Sequence, residues 1–334
     1  AYIDAGPGVV GGDAITVGFI YKPASVTPIG VPLVVDEQAF TDPNNTGSER
    51  NRPAIAQTFS DNNGSGLFTP IVNHLKSKGS PCGPGDDDPE QASCNVTRTL
   101  AAQYLVNTVV PAVQAASGDL DVAIIGDLNA YAMEDPIRAL TDGGFTNLVK
   151  AFSGDYAYSY TFDGMVGYLD HSLSTGNLFD QATGTTIWHI NTDEPAVIDY
   201  EDYFNPPGYY SPDAYRASDH DPVIVGLDLN GPPVCTAAAP SMEELWPVNH
   251  KFVPVSVLGV TDPESDPVTI TIDGIWQDEP VNADDDGNTF PDGVGVGTDT
   301  AELRAERNGE LNGRAYHVYF TADDGQNNSC SGEV

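Results

Sequence analysis

Basic side chains are scarce in this 334-residue chain: 13 Lys and Arg stand against 49 Asp and Glu, a formal net charge of −36. A surface so acidic repels phosphate at long range, which excludes a nonspecific nucleic-acid coat protein but not an enzyme with a local cationic track. Long apolar runs are also missing. No stretch approaches 18 uninterrupted apolar residues, so no membrane-spanning helix is expected. Methionine occurs three times and cysteine four. Cys82, Cys94, Cys235 and Cys330 lack the C-x-x-C spacing of zinc and redox sites, so the even set reads as two disulfides between sequence neighbours, Cys82 with Cys94 and Cys235 with Cys330.

Nothing at Ala1 resembles a signal peptide and no Met begins the chain, so an N-terminal piece is expected to have been removed. Disulfides point to an oxidising compartment. An acidic, lysine-poor composition suits salty water, where charge repulsion is screened. The expectation is a secreted protein of a marine or halotolerant bacterium.

What the chain does have in quantity is glycine and proline, 34 and 26 residues, which favours loop-rich β or α/β architecture over a helical bundle. The length suits one large domain and one small one. A boundary is predicted at Asn230-Gly231-Pro232-Pro233, directly after the apolar run Val223–Leu227, which gives domains at 1–231 and 232–334. The second part alternates apolar and polar residues in Phe252–Val257, Val268–Ile272 and Ala315–Phe320, between Asp, Pro and Gly turns. That pattern predicts a small all-β sandwich. A Cys235–Cys330 bridge would close nearly all of it and contribute on the order of 4–5 kcal/mol in the chain-entropy model. The first part mixes strand-like runs at Ala14–Tyr21, Phe68–Val72 and Val122–Ile125 with a helix beginning at Asn95–Thr97 and ending before Pro111. Strands alternating with helices and long loops predict an α/β sandwich.

Four segments each join an apolar strand to a polar cluster: Ile71-Val72-Asn73-His74 with Lys76 and Lys78 after it, Ile124-Ile125-Gly126-Asp127-Leu128-Asn129-Ala130, Tyr168-Leu169-Asp170-His171, and Ser218-Asp219-His220-Asp221-Pro222-Val223. Together they gather two histidines, orienting carboxylates and the hard oxygen donors that suit Mg²⁺. A phosphodiester resists hydrolysis because water is a poor nucleophile, phosphate oxygens repel it and the leaving alkoxide is a strong base. A histidine titrating near neutrality can deprotonate water, a second can protonate the leaving oxygen, and a divalent cation can neutralise developing charge. His171 follows Asp170 on one strand, points to the other face, and is expected to be structural.

In this order and context the segments resemble the endonuclease/exonuclease/phosphatase superfamily, the DNase I-like fold, and in particular its secreted bacterial nucleases, over about residues 1–230. The resemblance implies a DNase I-like four-layer α/β sandwich and a metal-dependent nuclease using Mg²⁺, or Mn²⁺. It implies that His74 contacts the scissile phosphate or leaving group, and that Asp127 and Asn129 bind metal beneath the phosphate. It implies that Asp170 orients His220, the general base, that Asp219 is a metal ligand, and that Arg52 contacts phosphate. Lys76 and Arg98 are expected to join a phosphate track, because six of the nine cations in residues 1–231 (Arg52, Lys76, Lys78, Arg98, Arg138 and Arg216) lie near a motif. The family's first two strands carry an Asn and a metal-binding Glu that have no counterpart in this chain, so the expectation is either that an N-terminal fragment of the same precursor stays bound as a companion or that this is a truncated or inactive form.

In the second part, Asp262, Glu264 and Asp266, and the loop carrying Asp284, Asp286 and Asn288, are candidate Ca²⁺ ligands. The second loop opens like an EF-hand, but Gly293 stands where the closing Glu belongs. The Asp-Pro-Glu-Ser-Asp-Pro segment resembles immunoglobulin- and cadherin-like modules, which implies a spacer or surface-binding role. The expected substrate is nucleic acid, extracellular DNA first. The rival substrates are lipid or small phosphate esters, for which Tyr209-Tyr210 is a candidate membrane contact; the rival class is an inactive matrix protein.

Overall fold

The computed structural model describes residues 1–6, 10–64, 66–199, 206–210, 212–282, 287–309, 313–326 and 328–334. The chain divides into two compact units, residues 1–63 with 67–229, and residues 230–334 with 64–66.

Unit 1 is α/β. Its main sheet has six strands in the order β1-β2-β3-β4-β8-β5: β1 Val26–Val35, β2 Ala54–Asp61, β3 Leu67–His74, β4 Val122–Asp127, β5 Thr146–Asn147 and β8 Asp170–Ser174. β3 and β4 run parallel, and β4 and β8 antiparallel. Pro28 and Pro32 confine β1 to an edge, since proline cannot donate to a ladder, and its register shifts between Ile29 and Leu33. One face of the sheet buries Ala56, Ile71, Ile124 and Leu173 in the main core with Ala101, Leu105 and Val113. Ala101 lies on α2 Asn95–Tyr104, Val113 on α3 Val110–Ser117 and Leu105 between them; the short α1 Gln38–Thr41 and α4 Asp135–Asp142 complete this side.

The α2–α3 helix does not end before Pro111. It passes through a π turn at Leu105–Val109 and continues to Ser117. Proline lacks the N–H that an uninterrupted α ladder needs there, and one wide turn accommodates it. At the other end α2 starts at Cys94, which has no capping side chain of its own; Asp86 accepts from the Thr97 amide (2.8 Å) and hydroxyl (2.6 Å) instead. Cys82 is bonded to Cys94, and Cys235 to Cys330.

The second face of the sheet is covered in two pieces. Residues 14–21 form no ladder strand. Only an isolated Tyr2–Ile20 bridge is made, and Phe19 and Tyr21 pack their rings on Phe59 (5.9 and 5.6 Å). This segment lies on the face of a sheet rather than at its edge, so side chains hold it. The other cover is a sheet of β9 Ala182–Ile187 and β10 Val223–Leu227. A two-stranded hairpin, β6 Tyr160–Phe162 and β7 Met165–Gly167, and two short helices, α5 Leu148–Ser153 and α6 Gly176–Asp180, complete the unit.

Unit 2 is all β. One sheet orders β11-β12-β15-β14 (Ala239–Pro240, Phe252–Leu258, Thr300–Arg304 and Gly293–Val294) and the other β13-β16-β17 (Thr269–Gln277, Tyr316–Asp323 and Ser329–Glu333). Val255, Val257, Ile272, Leu303, Val318 and Phe320 form its core, with the Cys235–Cys330 bridge packed against it. Within it Arg314 is buried among three carboxylates, Glu279 (3.2 Å), Asp292 (2.8 Å) and Glu306 (3.0 Å).

Candidate active site

Strand register builds the site. His74 on β3 pairs with Asp127 on β4, and Asp127 pairs with Asp170 on β8. Residues directly opposite one another project to the same side of a sheet. The three side chains therefore stand in a row across adjacent strand ends, on the face opposite the helices. His74 Nε2 lies 3.2 Å from Asp127 Oδ2. His220, two residues before Pro222 and three before β10 begins, brings Nδ1 within 2.7 Å of Asp170 Oδ2. Asp127, Asp170 and His220 offer ligand atoms that all lie within 4.8 Å of one another, and all three are half-buried.

The close approach of the two strand tips has a backbone cause. Gly126, paired with Asn73, has φ +115, and a Cβ there would sit 2.1 Å from the Asn73 carbonyl oxygen. Only glycine permits both. Beyond β4 the chain turns at Asn129 (φ +47), whose backbone N–H donates to Asp127 Oδ1 (2.8 Å) and whose amide donates to Asp127 Oδ2 (2.9 Å) and Leu75 O (3.1 Å). Asn129 thus locks the Asp127 carboxylate and ties it to the residue after His74. On the other side Ser159 Oγ donates to Asp170 Oδ2 at 2.6 Å.

These surroundings set the protonation states. Burial works against a charged His220, but the Asp170 hydrogen bond and charge, with Asp127 and Asp219 behind it, hold its pKa up at about 9. His171 shows the reverse: fully buried, it is pushed down to about 4 and stays neutral, with Nε2 2.8 Å from Ala130 O and Nδ1 3.4 Å from Asn147 Nδ2. Asp221 is also structural. It accepts from the amides of Ile190, Asn191 and Thr192 and from His189 Nδ1, and so anchors the loop that follows β9.

Several expected ligands sit elsewhere. Asp219 is exposed and is not in the cluster of ligand atoms around Asp127; its charge reaches His220 from outside. Asp170 takes the inner place because β8 delivers it in register, whereas Asp219 lies on an unpaired loop. Arg98 is not a phosphate contact: it is fully buried, and its guanidinium donates to the carbonyls of Lys76 (3.0 Å), Ser93 (2.7 Å) and Gln91 (3.4 Å). It shapes the loop that follows His74. Arg52 reaches that loop too, 3.5 Å from Leu75 O, and pairs with Asp13 at 3.1 Å. Lys76 is half-buried and has no side-chain ion pair among the described residues. Lys78, whose pKa burial lowers, is paired with Glu134 (2.6 Å) beneath the Tyr131 ring.

In unit 2 the first candidate Ca²⁺ group is not assembled. Asp262 Oδ1 accepts from its own loop's amides at Glu264 and Asp266, Glu264 turns to the Gly231 amide, and Asp266 to Gln326. These bonds turn the three carboxylates to separate partners, and Asp262 Oδ2 is left buried without a hydrogen bond. Asp284 and Asp286 lie outside the described residues; Asn288 sits in a turn with φ +54.

Sequence reading missed Ser159, Tyr160 and the hairpin that carries Tyr160. The Tyr160 ring lies 4.6 Å from that of His220, and burial, with Asp219 and Tyr131 nearby, raises its phenol. A signal was present: Asp163-Gly164 between Tyr160-Thr161-Phe162 and Met165-Val166-Gly167 is a two-residue hairpin turn.

No family model matches the chain, and no curated protein matches it. Among solved structures it is similar to an endonuclease/exonuclease/phosphatase family protein from Bacteroides thetaiotaomicron (13% identity, TM-score 0.36, 50% of this chain and 56% of that one). It is also similar to the human Nocturnin catalytic domain (16%, 0.34, 49% and 52%) and to a Bacteroides thetaiotaomicron mannosyl-6-phosphatase (12%, 0.41, 63% and 69%). The chain spans about half the length of the first two.

Proposed function

We propose that this chain is a secreted, divalent-cation-dependent phosphodiester hydrolase of DNase I-like kind, acting on nucleic acid, with extracellular DNA as substrate. The observation that carries the reading is the row His74–Asp127–Asp170 across three strands, closed by His220. It supplies two imidazoles, each backed by a carboxylate, on one face. His220, fixed by Asp170, is placed to take a proton from water; His74, held by Asp127, is placed to give one to the leaving oxygen. The Asn129 amide and Ser159 hydroxyl keep the two carboxylates oriented.

Asp127 and Asp170 are hard oxygen donors within reach of one another, which fits Mg²⁺, and Mn²⁺ by the same chemistry. Such an ion, when bound, neutralises charge on the phosphate oxygens and opposes the proton on His220. Asp219 stands ready as an outer carboxylate. The two disulfides and the acidic composition support secretion.

The reading includes an upstream segment of the same precursor as a companion. Among the described residues β10 pairs with β9 alone, and beside it lies a cavity of about 460 Å³ lined by Phe68, Pro70, Ile125, Val223, Val225 and Leu227. A strand added to the free edge of β10 would extend this sheet. Unit 2 we read as an immunoglobulin- or cadherin-like spacer or surface-binding module, with Ca²⁺ as a structural ion of its Asp284–Asn288 loop.

The test is hydrolysis of plasmid DNA and of bis(p-nitrophenyl) phosphate by the purified chain in Mg²⁺. Activity should vanish with EDTA and in His220→Ala while the circular dichroism spectrum is unchanged. Turnover retained in His220→Ala would refute the assignment.

A further inference from the structure

A track for duplex DNA needs free cations, and most of those near this site are already neutralised. Arg52 is paired with Asp13, Lys78 with Glu134 and Arg216 with Asp199, and Arg98 is buried. Of the six cations near the motifs, that leaves Lys76 and the exposed Arg138, which have no ion pair among the described residues. Something other than charge must hold the substrate, and the hairpin beside His220 offers it.

The hairpin turns at Asp163-Gly164, both with positive φ (+49 and +76), so its two-residue loop fixes the register: Tyr160 opposite Gly167 and Phe162 opposite Met165. Opposed residues share a face, so Tyr160, Phe162 and Met165 line one side. The Phe162 ring follows that of Tyr160 at 6.5 Å and 16°, and Tyr160 follows His220 at 4.6 Å. Gly167 leaves room for Tyr131, whose ring edge would be 2.8 Å from a Cβ there. The result is a row of rings leading outward from the reacting end of the sheet, its far members exposed: Phe162 57% and Met165 70%.

Resting on the hydrolase reading above, we propose that Tyr160, Phe162 and Met165 form a platform for an unpaired base next to the scissile phosphate, so that the site selects single-stranded nucleic acid and holds it mainly by stacking. A base in a duplex has both faces occupied and must be unstacked first, at a cost of a few kcal/mol; a single strand offers its faces freely. The hairpin tip is ill suited to a bilayer, because the Asp163 carboxylate stands at its apex and no Lys or Arg occurs from residue 151 to residue 180.

The experiment is fluorescence anisotropy of a labelled, phosphorothioate-linked 20-mer in Mg²⁺, alone and annealed to its complement, over a range of salt. The single strand should bind at least tenfold tighter, with a slope of log K on log salt of about −1, as one or two phosphate contacts give. Phe162→Ala and Phe162→Leu should each weaken binding about tenfold, within the range for loss of one base stack, and Phe162→Trp should restore it. Equal affinity for the duplex, or a Phe162→Leu variant that binds like the parent, overturns the proposal. So does cosedimentation with phosphatidylcholine vesicles that Phe162→Ala abolishes, if oligonucleotide binding is unmoved. Hydrolysis of bis(p-nitrophenyl) phosphate is measured in parallel. If it persists while selective binding fails, the platform is wrong and the hydrolase stands; if it is absent while binding behaves as expected, the reverse holds.

Discussion

Replacing Gly126 by alanine tests whether the two strand tips are pressed together as the site requires. The added methyl would lie 2.1 Å from the Asn73 carbonyl oxygen, on a backbone with φ +115. Real contacts of that kind begin near 3 Å, so the partner carbonyl must retreat by nearly 1 Å, and it belongs to the residue paired across the parallel ladder. Backbone strain of about 1–2 kcal/mol and loss of one or two ladder hydrogen bonds at about 1 kcal/mol each sum to roughly 2–4 kcal/mol. Gly144 is the control: it has φ +94 and nothing within 4 Å of its imagined Cβ, so Gly144→Ala should cost only the strain, about 1 kcal/mol. Urea denaturation followed by circular dichroism measures both. Because the next pair along is His74 and Asp127, hydrolysis by Gly126→Ala should also fall by about a hundredfold, the loss typical of a 1 Å misplacement. A Gly126→Ala protein within 0.5 kcal/mol of Gly144→Ala would mean that the strands are not in close contact, and the reasoning would fail.

Asp170→Asn should lower kcat at least a hundredfold, whereas Asp219→Asn, acting from outside the cluster, should cost less than tenfold; equal losses measured with bis(p-nitrophenyl) phosphate would remove the distinction between them. Asp121 is buried beside Asp119, and burial first, then that neighbour's charge, raises its pKa from 3.8 to about 6. A raised carboxyl pKa contributes stability that is complete below pH 3.8 and lost as pH rises through 6, so unfolding free energy should fall by on the order of 2–3 kcal/mol across that window, and Asp121→Asn should flatten the profile. Arg314→Met strands three buried carboxylates in unit 2 and should destabilise that unit by about 3–5 kcal/mol at pH 7. Urea denaturation followed by circular dichroism reports it, and a smaller loss at pH 4 should accompany protonation of the acids.

The sequence alone determined what local chemistry can determine. The run Val223–Leu227 is a strand because it is apolar and bounded by Pro222 and polar residues; β4 ends at Asp127 because Gly126 and Asn129 supply the turn; the four cysteines pair each with the next one along the chain. The same residues announce a candidate phosphoester site, since two histidines and several Asp and Asn oxygens follow strands in order. Only the tertiary structure decided which side chain faces which. Arg98 and Lys76 read alike as cations near a motif, yet helix α2 turns Arg98 inward to satisfy carbonyls. Asp170 and Asp219 read alike as carboxylates beside histidines, yet strand pairing carries one into the cluster and leaves the other in water. The π turn that carries the helix past Pro111 and the segment 14–21 that lies on a sheet face depend on neighbours distant in sequence. Burial, register and the direction of a side chain are properties of pairs of elements, and a one-dimensional pattern holds the members of each pair without saying how they meet.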